Sequence, residues 1–209
     1  MMQKNISHML LFTIPLIVWP LVFVILKNTF LYSMGLATTF LGLTTVLFFK
    51  NDLIHLLING QNQKSKLKSI FIGVVSSFVL YIIFLLGGKI SYYLGFGNLV
   101  LSIYDMVLSI NKIILSVALI IIGVMEEIYW RGFIQGIFIN DTPYPWILSS
   151  IYYSMVHIVT FNYILVIAAL IVGLITGYIA YQFGIVPSII THHLVRVSYY
   201  HFSYIVIKK

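Results

Sequence analysis

The 209-residue chain has no cysteine, only five acidic residues and only 8% charged residues in all. Without cysteine there is no disulfide, no thiolate metal site and no sulfur nucleophile. So little charge excludes an ordinary soluble domain, in which about a quarter of residues are charged. No polar stretch is long enough to bury a separate soluble core of its own. What fills the chain is apolar: 61% of residues are hydrophobic and the mean hydropathy is +1.05. Twelve Lys and Arg give a formal charge of +7. These basic residues are scattered between apolar runs instead of sharing one polar face, so they point to membrane orientation and not to nucleic acid. The expectation is an all-α polytopic protein of the cell membrane, multi-pass, in contact with membrane lipid and with no nucleic-acid partner.

A spanning helix needs about 20 apolar residues to cross about 30 Å of hydrocarbon. Residues 6–26 form the first such run, too long for a signal peptide and with no small-residue cleavage site after it. The second is 31–49. Residues 50–68 then hold Lys50, Asp52, Lys64, Lys66 and Lys68, the only extended polar loop. Further runs lie at 70–86, 113–139, 146–160, 163–181 and 185–207. Residues 90–111 are ambiguous, with Gly95, Gly97, Asn98 and Asp105 among apolar residues, and fit either a span or a surface-lying helix. Placing the lysine loop in the cytoplasm favours eight spans over seven, because Lys112, Lys208 and Lys209 then also fall inside. Gly132/Gly136 and Gly173/Gly177 are small-xxx-small pairs suited to close helix contacts.

Ionisable groups inside a span are costly and point to function. Here they crowd into one half: Glu126, Glu127 and Arg131 on one span, His157 on the next, and His192, His193 and Arg196 on the last. At 1.5 Å rise per residue, Glu126, His157 and His192 fall in one middle layer of the bilayer. Such a layer is stable only if its members face one another or a wet cavity. Glu127 and Arg131 are i,i+4 neighbours and can pair. Glu126 is turned about 100° away and is free to face another helix. A carboxylate facing two imidazoles can hold a water and serve as general base, with a histidine donating to an oxyanion. The plainer readings are a structural Glu127–Arg131 pair and a His157 that only hydrogen-bonds between helices. His193 has no assigned role, and His8, His55 and His201 are expected at the interface. Other chemistries lack their motifs: there is no H-E-x-x-H, no G-x-S, no Walker loop and no dinucleotide fingerprint. G-F-G-N at 95–98 is similar to the G-x-G-D of presenilin-like aspartyl proteases, but Asn98 stands in place of the acid.

Three motifs in order carry a family resemblance. E-E-I-Y-W-R-G at 126–132 resembles the E-E-x-x-x-R motif of the CPBP family, the CAAX-protease and bacteriocin-processing (Abi) intramembrane proteases. Y-S-M-V-H at 153–157 is similar to the second motif, F-x-x-x-H, with Tyr153 for Phe. P-S-I-I-T-H-H-L-V-R at 187–196 resembles the third, a His followed four residues later by Asn or Asp. The resemblance covers about residues 112–207. It implies a four-helix catalytic core at 112–209, preceded by N-terminal transmembrane helices at 1–111. It further implies that Glu126 activates water with His157, that His192 belongs to the oxyanion side, and that Glu127 and Arg131 brace the site. No cofactor is expected; a divalent metal such as zinc is left open. The departure is Arg196, where the family carries Asn or Asp. It would need a counter-charge, for which Glu127 is the candidate.

The function expected is an intramembrane endopeptidase acting on a membrane-presented peptide or small membrane protein. Richness in Ile, Phe, Tyr, Lys and Asn suggests a bacterial source and hence peptide processing or bacteriocin self-immunity. The alternative is a non-catalytic membrane immunity or scaffold protein of the same family, because of Arg196. A transporter with a carboxylate proton relay is weaker, since no inverted repeat is visible.

Overall fold

The computed structural model describes residues 6–58, 66–107 and 110–198. Among these there is no strand, and nine α-helices follow one another: α1 (Ile6–Thr13), α2 (Pro15–Pro20), α3 (Phe30–Ile58), α4 (Lys66–Ser91), α5 (Gly97–Asp105), α6 (Lys112–Glu127), α7 (Pro145–Met155), α8 (Tyr163–Phe183) and α9 (Ile185–Ser198). The protein is an all-helical membrane protein. Among the described residues five stretches are long and apolar enough to cross a bilayer: Ile6–Ile25, Lys27–Ile54, Leu67–Asp105, Lys112–Phe138 and Tyr163–Phe183.

This count differs from the expected seven to eight for local reasons. α5 has nine residues, a rise of about 14 Å, less than half of the hydrocarbon thickness. It follows α4 through a π-helical turn, Tyr92–Phe96, broken by Gly95 at φ 87, so α5 is too short to cross alone. α7 has eleven residues and is likewise too short alone. α9 is described for fourteen residues; the rest of the expected last span, with His201, Lys208 and Lys209, lies outside the described residues. So do residues 59–65 of the expected basic loop and the His55 side chain. The flanks of that loop are helical, because α3 continues to Ile58 across a kink at Phe49 and α4 begins at Lys66.

The first span is broken where its prolines demand it. Pro15 has no N–H to give the Leu11 carbonyl, the i−4 acceptor it would otherwise serve. The Tyr129 hydroxyl donates to Leu11 O at 2.8 Å instead, and Tyr152 donates to Phe12 O at 2.5 Å. Past Pro20 the helix widens into a π-helical turn, Leu21–Ile25. These bonds tie the N-terminal helix to the segment after α6 and to α7. His8, expected at the interface, is buried against the Phe49 ring at 4.7 Å, on the side of α1 that packs on the segment after α6.

Helix starts follow their caps. Asn111 Oδ1 accepts from Ile113 N at 2.9 Å to begin α6, Pro145 opens α7, and Asn162 Oδ1 accepts from Leu165 N at 3.1 Å to begin α8. Gly184, at φ 93, turns the chain from α8 into α9. α9 packs against α4, α6 and α8, α3 lies on α6, and α7 lies on α8. Both small-residue pairs sit at close contacts. A Cβ on Gly132 or Gly136 would meet Leu53 or Leu56 of α3 at 2.6 Å, and one on Gly173 would meet Ser150 at 3.0 Å. The outer surface is apolar, with Leu47, Phe71, Phe78 and Ile113 each about two-thirds or more exposed. The mid-span charges of Glu126, Glu127 and Arg131 are buried, as lipid solvation requires.

Candidate active site

The site begins where α6 ends. After Glu127 the helix continues to Phe138 as π-helix, a geometry that concentrates at functional positions. The preceding turn carries the two glutamates, which leave the helix in different directions and meet different partners.

Glu127 is the hub of a closed network, its side chain 0% exposed. Its Oε1 accepts from His192 Nδ1 at 2.7 Å. Its Oε2 accepts from the Ser188 hydroxyl and lies 3.5 Å from Arg131 Nε. Arg131 in turn donates to Thr176 Oγ1 from Nη2 at 2.8 Å and to Ser149 Oγ from Nη1 at 3.2 Å, and lies over the Tyr153 ring at 5.7 Å. A buried ion pair is tolerable only when its remaining donors and acceptors are met in this way. One consequence is chemical. A carboxylate can only accept, so Nδ1 of His192 carries the proton in that bond. Its Nε2 is thereby turned toward Glu126, 3.8 Å from Oε2.

Glu126 is equally buried, with a side-chain exposure of 0%. Its Oε2 accepts from Arg196 Nη2 at 2.5 Å, and its Oε1 has no hydrogen-bond partner. The counter-charge of Arg196 is therefore Glu126, not Glu127. The reason is register: Ser188 and His192, four residues apart on α9, both face Glu127. Arg196, a further turn along, reaches the other carboxylate.

His157 sits just past the end of α7. Its Nδ1 donates to Tyr153 O at 2.7 Å, and its Nε2 accepts from Trp19 Nε1 at 3.3 Å. The indole can only donate, so this ring holds its proton on Nδ1. Trp19, fully buried, also meets the ring edge-on with centroids 6.1 Å apart. His157, Tyr153, His192 and Arg196 all line one cavity of about 300 Å³. Glu126 and Glu127 do not line it; it meets Glu126 through His192 and Arg196.

The structure thus brings Glu126, Glu127, Arg131, His192 and Arg196 into one bonded cluster and places Tyr153 and His157 on the adjoining cavity wall. It does not join His157 to Glu126 directly. His193 turns away to pack near Gly123. Sequence reasoning missed Ser188, Thr176 and Ser149. Only Ser188 left a signal, four residues before His192 and so on the same helical face. It also missed Trp19, for which Pro15 and Pro20 were the available hint. Among the described residues no three His, Asp or Glu side chains converge as a metal-binding set. Nδ1 of His192 is committed to Glu127 and Nε2 of His157 to Trp19, so a resident metal does not fit these donors as they stand.

Comparison with known proteins adds one finding. Residues 108–198 match the family described as type II CAAX prenyl endopeptidase Rce1-like. No curated protein and no solved structure matches the chain. The matched residues contain both glutamates, Arg131, both cavity histidines and Arg196, while Trp19 and the first helix lie outside them. Over residues 108–198, with its buried Glu126–Arg196 and Glu127–His192 pairs, the chain is similar to the Rce1-like family of CAAX-type endopeptidases.

Proposed function

We propose that the protein is an intramembrane endopeptidase that hydrolyses a peptide bond with a water activated by Glu126. The observation that carries this reading is the buried Glu126 carboxylate, with one unpartnered oxygen and the other within reach of His192 Nε2, beside an apolar cavity inside a membrane helix bundle. A site walled off from lipid is where a carboxylate can work on a single water.

In this reading the water oxygen attacks the peptide carbonyl carbon while its proton passes to Glu126 Oε1. His192, held by its Nδ1–H on Glu127, stands with Nε2 on the side where the oxyanion develops. Collapse of the intermediate breaks the C–N bond, and the Glu126 proton goes to the leaving nitrogen. The products are a carboxylic acid and an amine, which part as carboxylate and ammonium once the acid proton passes to the amine. Glu127, Arg131 and Ser188 are positioning residues that hold the His192 ring. His157 contributes on the cavity wall once its Nε2 is released by Trp19. Arg196 stands on Glu126 and has to be drawn aside for the proton transfer. The substrate is a membrane-presented peptide or small membrane protein, and the setting is peptide processing or bacteriocin self-immunity at a bacterial cell membrane. The N-terminal helices, residues 1–111, serve as the frame that closes the core at 112–209.

A second reading is favoured by one observation, the Arg196–Glu126 contact: a non-catalytic relative in which the pair is purely structural. Cleavage of co-expressed candidate membrane peptides, read by mass spectrometry, separates the two. Wild type should cleave and Glu126→Gln should not, while remaining folded, and chelator should leave cleavage unchanged. Loss with chelator would point back to a metal. Equal function of wild type and Glu126→Gln would favour the structural reading.

A further inference from the structure

We infer that the Tyr153 hydroxyl is the hydrogen-bond donor that receives the oxyanion of the attacked peptide bond. The inference rests on the proteolytic reading and adds a catalytic residue to it.

The protons of the cavity wall make the first half of the argument. Four polar side chains stand together there: Tyr153, His157, His192 and Arg196. His192 keeps its proton on Nδ1, in the bond to Glu127, and His157 keeps its own on Nδ1, in the bond to the Tyr153 carbonyl. With one proton each, both rings are acceptors at Nε2 and have nothing there to give an oxyanion. Arg196 is engaged with Glu126. Tyr153 is the remaining donor of the four. Ser91, the other hydroxyl of the cavity, lies eighteen residues along α4 from Gly73, whose carbonyl accepts from Thr191 beside His192. At 1.5 Å per residue that puts it about 27 Å up the helix from the His192 turn.

The second half is how the phenol is held. Other buried hydroxyls near the site are spent on protein acceptors: Tyr129 on Leu11 O, Tyr152 on Phe12 O and Ser149 on Trp130 O. Tyr153 is 3% exposed, yet its hydroxyl has no bond among the described residues and touches the open space of the cavity. A buried phenol ordinarily finds a partner, and here the partner comes from the cavity. The ring is clamped. It meets the rings of Trp130 at 5.1 Å and His157 at 5.0 Å, and the Arg131 guanidinium lies over its face at 5.7 Å. Glu126 and Arg196 nevertheless act on the phenol more strongly than Arg131 does, so its hydroxyl end points toward the Glu126–Arg196 pair. A donor fixed by packing before the substrate arrives needs no reorganisation as charge develops. The phenol keeps its proton throughout. When water attacks, the carbonyl π pair moves onto oxygen and accepts the Tyr153 O–H. When the C–N bond breaks the pair returns, and the hydrogen bond weakens. Position 153 is also one where the chain departs from the F-x-x-x-H pattern, so this donor comes with the chain's own substitution.

The test uses the full-length protein in lipid nanodiscs and two uncleavable forms of N-acetyl-Phe-Ile-Val-Leu-amide. In one a ketomethylene, C(=O)–CH2, replaces the Ile–Val peptide bond; in the other a phosphinate, P(O)(O⁻)–CH2, does. The ketone mimics the bound peptide and the phosphinate the tetrahedral oxyanion, with binding read by tryptophan fluorescence. Wild type should bind the phosphinate about a hundredfold or more tightly than the ketone. Tyr153→Phe should lose about a hundredfold on the phosphinate and less than about threefold on the ketone, with an unchanged thermal midpoint. A merely structural tyrosine would weaken both probes together. Unchanged phosphinate affinity in Tyr153→Phe, an equal loss on both probes, or a wild type that does not prefer the phosphinate would each overturn the inference. Should Tyr153→Phe fail to fold, 3-fluorotyrosine at position 153 decides: its ¹⁹F resonance should move with the phosphinate and stay with the ketone, and equal shifts with both overturn the inference. Cleavage of co-expressed membrane peptides separates the two claims. Equal cleavage by wild type and Tyr153→Phe removes the donor and leaves proteolysis standing. Phosphinate preference lost in Tyr153→Phe, without cleavage by wild type, counts against proteolysis and leaves the donor standing.

Discussion

The two histidines of the cavity are held by opposite ends of the molecule, and the contrast shows how the site is built. His192 is gripped by charge, through Glu127, Arg131 and Ser188, all within the segment that matches the family. His157 is gripped by an indole from the first helix, far outside that segment, and by the Tyr153 carbonyl, both uncharged. The C-terminal region carries the buried ionic network; the N-terminal region supplies aromatic contacts that finish it. One grip is ionic and spans 65 positions, the other is a single indole bond assembled across 138.

The sharpest way to break this comparison is Glu127→Ala. It strands Arg131 in the core and frees His192, and should cost about 3–5 kcal/mol, read as a fall in thermal midpoint in detergent. A loss under 1 kcal/mol would mean that the network is not what holds the region together. Next comes Thr176→Val, which removes the acceptor of two Arg131 N–H groups. A loss of about 1–3 kcal/mol is expected, read by the same thermal midpoint.

On the other side, Trp19→Phe should cost only about 1 kcal/mol, near what single hydrogen bonds contribute within membranes. Its diagnostic effect is spectroscopic: the ¹⁵N resonance of His157 Nε2 should move while those of His192 stay. Movement of both would show that the two grips are coupled. Tyr129→Phe leaves the Leu11 carbonyl without its donor and should cost a similar amount, about 1 kcal/mol. Smallest is Gly132→Ala. The added methyl meets the far ends of Leu53, at 2.6 Å, and Ile185, at 3.7 Å, flexible groups able to shift, so a loss below about 1 kcal/mol is expected.

Much of the charged half was legible in advance. Carboxylates and imidazoles spaced along apolar runs are conspicuous because lipid punishes them, and their common depth follows from helix rise alone. Which carboxylate each group on α9 would choose was not legible. It depends on the rotation of α9 against α6, set by packing with α4 and α8 that no local pattern records. The Arg196 partner was misassigned for this reason. The aromatic half was hardly legible at all. Trp19 sits in an unremarkable apolar run, and its meaning comes only from where two prolines and the hydroxyls of Tyr129 and Tyr152 aim it. Residues 90–111 defeated hydropathy because Gly95 adopts a left-handed conformation, ending one helix and starting another too short to cross.

The bond from Tyr129 to Leu11 also bears on how the protein is made. A ribosome delivers the first helix long before the hydroxyl that its proline-orphaned carbonyl requires, and lipid offers that carbonyl nothing in the interval. Chains released before position 129 should therefore leave the first helix loosely seated, which accessibility labelling of stalled nascent chains would register. Assembly has in effect a built-in last step: the opening segment stays provisional until the segment after α6 has been threaded, and only then does the indole reach its imidazole.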